Sequence, residues 1–190
     1  MFSDVNDIIV IDDFLPKHEF ENIVNTINKP EFPWSYSKYL LDKPIEGHNE
    51  RHNREYTKAL SELCNYYFVH VFFEDGFMRS RFSEEVSPLF KKINALTYLR
   101  GRAHMFTNNE KLLTYGMHVD YDYPMNVMKK ITSGVYYLDN SDGKTMFEDG
   151  REVNSKENRL VVFPSYFWHS STNCTNMATR RIINLDFITK

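Results

Sequence analysis

The hydrophobic period of this chain changes once, near Leu96, and that change limits the architectures open to it. Before it, Phe20, Ile23, Val24 and Ile27 fall at i, i+3, i+4 and i+7 and form one apolar stripe that must pack on something. Beyond it the spacing moves toward 2, in short runs separated by turn residues. Helices first and strands after describe an α+β domain with helices laid on one face of a sheet. At 190 residues the chain suits one domain, 1–190, with a mainly helical part over 1–95 and a strand-rich core over 96–190.

Within that frame, Ile8-Ile-Val-Ile11 reads as a short strand closed by Asp12-Asp13, and Pro16 stands where the first turn of the next helix tolerates it. Pro30-Glu-Phe-Pro-Trp34 ends that helix. Residues 35–54 are polar and contain Pro44 and Gly47, which predicts a long loop or mobile insertion. His48 and His52 within it are spaced for one helix face but lack the H-E-x-x-H order, so a surface loop is the better reading than a zinc site. The apolar and aromatic stretch 55–73 predicts a helix including Leu60, Leu63 and Tyr67. Ser83 with Glu84 and Glu85 marks the start of another, whose buried face is Val86, Leu89, Phe90 and Ile93. Two strands are expected over 96–100 and 102–106, with turns at 108–111, 140–143 and 148–150.

Composition narrows the function classes. The formal net charge is −3, so no global basic field is present to hold a phosphate backbone and a nucleic-acid partner is not indicated. Cys64 and Cys174 are far apart, which suggests neither a disulfide framework nor a zinc ribbon and fits a reducing cytosol. No stretch approaches the roughly 18 apolar residues of a membrane span, and the first residues carry no basic or apolar leader, so a cytoplasmic protein is expected. Aromatic residues at 15% favour an ordered, strand-rich globule.

The chemistry-bearing stretch is Met117-His118-Val119-Asp120. In an extended strand residues i and i+2 project to one face, which offers an imidazole and a carboxylate together. A second imidazole, His169, follows the apolar run Arg159-Leu-Val-Val-Phe-Pro164. Two His and one carboxylate on one side of a metal form the facial triad of non-haem Fe(II) oxygenases, with zinc as the main rival metal. A lone His-x-Asp arises easily by chance, so its surroundings decide its weight.

Those surroundings run in order His118-Val-Asp120, Gly134-Val-Tyr-Tyr-Leu138, Arg159-Leu-Val-Val-Phe163 leading to His169, and Thr179-Arg-Arg-Ile-Ile-Asn-Leu-Asp-Phe187. The series resembles the 2-oxoglutarate- and Fe(II)-dependent oxygenases, most closely the prolyl-hydroxylase-like group, over about 96–187. The resemblance implies a double-stranded β-helix (jelly-roll) core with the N-terminal helices on the outer face of its major sheet. It implies Fe(II) at His118, Asp120 and His169, with 2-oxoglutarate and O2 as cosubstrates. The family binds the far carboxylate of 2-oxoglutarate with a basic residue on the strand after the second histidine, where Arg180 and Arg181 both qualify.

Parity favours Arg180: if it faces inward, so do Ile182, Asn184 and Asp186, leaving Ile183, Leu185 and Phe187 to pack under the helices. By the same resemblance the phenol of Tyr137 touches that carboxylate and Tyr136 points outward. His104 and Phe106 share a face on the preceding strand and are candidates to line the cosubstrate pocket, while Tyr121 and Tyr123 would overhang the open side of the metal. The implied reaction is hydroxylation of a C–H bond, coupled to conversion of 2-oxoglutarate to succinate and CO2, on a peptide or small-molecule substrate. A prolyl residue is a candidate taken from the nearest group, and the oligomeric state is left open. Two alternatives stand beside it: a cupin-like metalloenzyme that makes no use of 2-oxoglutarate, and a non-catalytic β-helix binding module.

Overall fold

The computed structural model describes Phe2 and residues 5–38, 66–121 and 123–189. Its strands are β1 (Ile9–Ile11), β2 (Ser35–Ser37), β3 (Tyr67–Glu74), β4 (Phe77–Met78), β5 (Thr97–Thr107), β6 (Ile131–Tyr137), β7 (Lys144–Phe147), β8 (Glu152–Asn154), β9 (Arg159–Pro164), β10 (His169–Ser171) and β11 (Thr179–Ile188). The helices are α1 (Lys17–Ile27), α2 (Ser87–Ile93) and the short α3 (Met125–Met128). Eight strands form one antiparallel sheet in the order β1-β9-β6-β11-β5-β3-β2, with β4 attached to β3. A three-stranded sheet, β10-β7-β8, is extended by single bridges between Thr114 and Thr172 and between His118 and His169.

Strand alternation divides the interior in two. Ile183, Leu185 and Phe187 of β11 join Phe20, Ile23 and Ile27 of α1 and Leu89, Phe90 and Ile93 of α2 in one buried cluster. Ile182 of the same strand belongs instead to a second cluster with Phe106, Val135, Tyr137, Val161 and Phe163, which also takes in Phe147 and Val153 from the small sheet. The large sheet is thus dry on both faces at its centre, and all seven residues of β6 are buried. Such a strand reads as a continuous apolar run with small residues, as Ile131-Thr-Ser-Gly-Val-Tyr-Tyr137 does.

Several elements differ from the sequence expectation. Residues 67–73 are strand β3, not the end of a helix. The run Tyr-Phe-Val-His-Val-Phe-Phe is β-branched and aromatic, and pairing with β5 on one side and β2 on the other outweighs its mixed period. Leu60, Leu63, His48 and His52 lie outside the described residues, as does most of the expected 35–54 loop, whose first residues form β2. Ser83 does not cap a helix: its hydroxyl donates to Phe72 O at 3.1 Å, and α2 starts later, after Val86, with a proline in its first turn.

The two strands expected over 96–106 are one, passing through Gly101 without a break. That glycine is needed because a Cβ there would come within 2.9 Å of the Phe90 ring. Gly101→Val is therefore expected to destabilise the fold by about 1–3 kcal/mol through overpacking against α2, read as a lower midpoint in chemical denaturation with an unchanged slope.

Candidate active site

The site begins with a backbone pairing. His118 N–H donates to His169 O, and His169 N–H to His118 O, both at 2.9 Å, so the two residues face each other as a hydrogen-bonded antiparallel pair. Their imidazoles lie on one side with centroids 4.6 Å apart. Asp120, two residues beyond His118, falls on the same face. One ligand atom from each of His118, Asp120 and His169 lies within 4.8 Å of the others.

The tautomers follow from the partners. Nδ1 of His118 is 3.0 Å from Gly116 O, and Nδ1 of His169 is 3.0 Å from Phe167 O. A carbonyl oxygen only accepts, so both Nδ1 atoms carry a proton, and in the neutral form of either ring the lone pair is then on Nε2. This is how metal-binding histidines are oriented by a partner behind them. His169 Nε2 stands 3.5 Å from Asp120 Oδ2.

Electrostatics agree. Burial, with the neighbouring His169, pushes His118 down to about 4, so its ring is neutral near pH 7. Burial works to raise Asp120, but the Arg100 guanidinium beside it outweighs that and holds the carboxyl well below the usual range. Two imidazoles and one carboxylate, with His169 buried and the other two half-buried, fit a divalent ion.

Deeper in the same interior sits Arg180, fully buried. Nε donates to Ser155 Oγ at 2.8 Å, and Nη1 to Ser171 Oγ at 2.5 Å and Thr172 O at 2.9 Å. Its carbon stands 5.6 Å from the ring centroids of both Phe106 and Tyr137. These hydrogen-bond partners are all neutral, burial lowers its proton affinity, and Nη2 has no partner among the described residues. A buried guanidinium with a spare donor is matched by a carboxylate, which accepts from such a fork. Gly143 makes room for it, since a Cβ there would lie 2.3 Å from Arg180 Cδ.

Arg181 faces the other way, with Nε 3.5 Å from the Asp139 carboxylate and Nη1 donating to Asn28 at the end of α1. Of the two arginines left open by position, Arg180 is the one that points into the interior. Tyr137 is there too, its phenol donating to Thr145 Oγ1 at 2.7 Å, while Tyr136 lies in the helix-side cluster and donates to Asn158 Oδ1 at 2.6 Å.

His104 is buried at 4.9 Å from the Tyr67 ring, with Asn184 Nδ2 3.5 Å from its Nδ1 and no partner at Nε2 among the described residues. Tyr121 and Tyr123 stack at 5.4 Å, and Tyr123 is half exposed. Sequence reasoning missed Arg100, Ser133 and Gly143. The signal for Arg100 was available, because Arg100, Arg102, His104 and Phe106 alternate along one face of β5.

No protein-family model matches the chain, and no curated protein matches it significantly. Solved structures do. A viral collagen prolyl hydroxylase from Paramecium bursaria Chlorella virus-1, in complex with 2-oxoglutarate, superposes with a TM-score of 0.56 at 14% identity, over 100% of both chains. A Trichoplax adhaerens prolyl hydroxylase, in complex with a hypoxia-inducible-factor peptide fragment, gives 0.56 at 13% identity over 96% of this chain and 84% of its own. A 2-oxoglutarate-Fe(II) oxygenase family protein from Burkholderia pseudomallei gives 0.60 at 11% identity over 95% and 85%. The chain has the fold of the 2-oxoglutarate-Fe(II) oxygenases. Among the described residues no helix is long and apolar enough to cross a membrane.

His104 provides a test of the dry interior. Burial, reinforced by Arg100 and Arg102, pushes it down to about 3 from an ordinary 6.5. A histidine depressed in the fold binds its proton only on unfolding, so stability is full above about pH 6.5 and is lost as pH falls toward the folded value. In metal-free protein, the pH slope of unfolding free energy between pH 6 and 4 is expected to be shallower in His104→Leu than in wild type by about 1.4 kcal/mol per pH unit.

Proposed function

We propose that the protein is an Fe(II)- and 2-oxoglutarate-dependent dioxygenase that hydroxylates a C–H bond, built on a double-stranded β-helix whose outer major face carries α1 and α2. The observation that carries this reading is the coexistence, in one interior, of a two-His-one-carboxylate cluster and a buried Arg180 with an unpartnered Nη2. A metal-binding module alone has no need of the second feature. A dicarboxylic cosubstrate accounts for both.

His118 and His169 would hold the iron through Nε2 and Asp120 through one carboxylate oxygen. Bound iron supplies the dioxygen chemistry that couples decarboxylation of 2-oxoglutarate to hydroxylation. The chain's own residues do the positioning. Arg180 grips the far carboxylate of the cosubstrate, with Ser155 and Ser171 fixing the plane of its fork. Phe106 and Tyr137 flank that contact and keep water from it, which strengthens a charge pair that bulk water would weaken. His104 closes the same pocket as a neutral ring. Tyr121 and Tyr123 stand past Asp120 as a platform for the substrate.

A peptide side chain, a prolyl residue among the candidates, is the substrate class we favour, because two of the structures with this fold are prolyl hydroxylases and one of them carries a peptide fragment. Wild-type protein is expected to release succinate from 2-oxoglutarate only with Fe(II) and oxygen, and Asp120→Ala or His169→Ala to fall to background. Arg180→Met is expected to raise the half-saturating 2-oxoglutarate concentration by roughly 30-fold or more, the cost of removing one member of a buried charge pair. Absence of both 2-oxoglutarate binding and succinate release across a peptide panel would reject the proposal.

A further inference from the structure

We propose that Arg100 is a positioning residue for the metal: it occupies one oxygen of Asp120 and leaves only the other facing the ion, so the carboxylate binds through a single atom. This rests on the reading of His118, Asp120 and His169 as metal ligands.

The geometry assigns each oxygen. Arg100 Nη2 donates to Asp120 Oδ1. Asp120 Oδ2 is the atom that stands toward His169 Nε2, at 3.5 Å. Ser133 Oγ lies 3.2 Å from that oxygen but only 2.6 Å from Asp186 Oδ1, and with a single proton to give it serves Asp186. Oδ2 therefore keeps its lone pairs for the interior.

Arg100 is itself held from behind. Asp186 Oδ2 accepts from Arg100 Nε at 2.8 Å and lies 2.7 Å from Nη2, and the Tyr121 ring centroid is 5.3 Å from the guanidinium carbon. Asp186 and Ser133 are almost fully buried on the adjacent central strands β11 and β6. The fork is thus fixed by the middle of the large sheet and presents its outer nitrogen to the ligand. A carboxylate beside a divalent ion is free to swing between one-oxygen and two-oxygen binding, and a rigid planar donor on one oxygen removes that freedom. A purely structural ion pair would need Asp186 alone. Contact with the ligand is what gives Arg100 a second role.

Metal-free protein titrated with Co(II) alone, under nitrogen, reads this through affinity and the visible absorption of the bound ion. Arg100→Met is expected to weaken Co(II) binding about 10- to 100-fold and to shift the absorption bands, as loss of a partner behind a ligand does. Arg100→Met combined with Asp186→Leu removes both buried charges, and is expected to regain the thermal stability lost in the single variant while keeping the weak affinity and the altered spectrum. Either variant binding Co(II) within twofold of wild type with an unchanged spectrum would overturn the proposal. Collapse of the double variant would assign Arg100 to the scaffold and overturn it as well. Wild type that binds no Co(II) would sink the metal reading and this inference together, whereas Co(II) binding with the expected variant effects but no succinate release would sink the oxygenase reading alone.

Discussion

Everything in this molecule depends on the side-chain parity of one strand. β11 lies between β6 and β5 in the large sheet, hydrogen-bonded on both sides, and its alternate residues serve different media. Ile183, Leu185 and Phe187 enter the cluster shared with α1 and α2, while Arg180 and Asp186 reach the polar interior. Slipping the register by one residue would drive Arg181 and three large apolar side chains into the site and put Arg180 and Asp186 under the helices. The apolar face is therefore what pins the polar one. Burial of Ile183, Leu185 and Phe187, worth roughly 1.5–3 kcal/mol each, sets the register that aims Arg180.

That arrangement concentrates charge where water is scarce, and the structure compensates each charge differently. Arg100 sits between two carboxylates, and Asp186, raised by burial and by nearby Asp120 against the pull of Arg100, has both Ser133 and Arg100 as hydrogen-bond partners. Arg181 meets Asp139, a carboxylate that is itself buried. Arg180 has only neutral hydrogen-bond partners and two aromatic faces. An uncompensated buried charge is costly, and a chain retains one where a ligand completes it.

How much of this could be read from residues alone follows from what each signal measures. Period-2 alternation over 179–187 carries parity directly, so the orientation of β11 was legible, whereas the sides of Tyr136 and Tyr137 came from the resemblance. The His-x-Asp spacing likewise states a shared face, and order along the chain brought in His169. What escaped was set by partners distant in sequence. Residues 67–73 became strand because β5 and β2 offered hydrogen bonds on both sides, a fact absent from their own period. Ser83 had a capping residue's chemistry but found Phe72 O instead. Arg100 was visible as a charge on an alternating strand, yet its meaning lies in Asp120 and Asp186, 20 and 86 residues away. Gly143 shows the same limit, since its reason is the side chain of Arg180 passing over it.

The separation of the two charged centres has a thermodynamic consequence. The imidazole-carboxylate cluster would accept a cation and Arg180 an anion, and both stand in an interior where Phe106, Tyr137, Val161 and Phe163 exclude water. A divalent ion filling one end raises the local potential, and a dicarboxylate reaching the other end then meets a more favourable field than it would in the metal-free chain. On the proposed reading, binding at the two ends would be linked, and the linkage reciprocal. Each ligand that binds only the folded chain also adds RT ln(1 + [L]/Kd) to its stability. The small sheet closes this circuit: β10 carries His169 at one end and, at the other, Ser171, which holds Arg180. The three-residue strand therefore ties His169 to the Ser171 hydroxyl that holds Arg180.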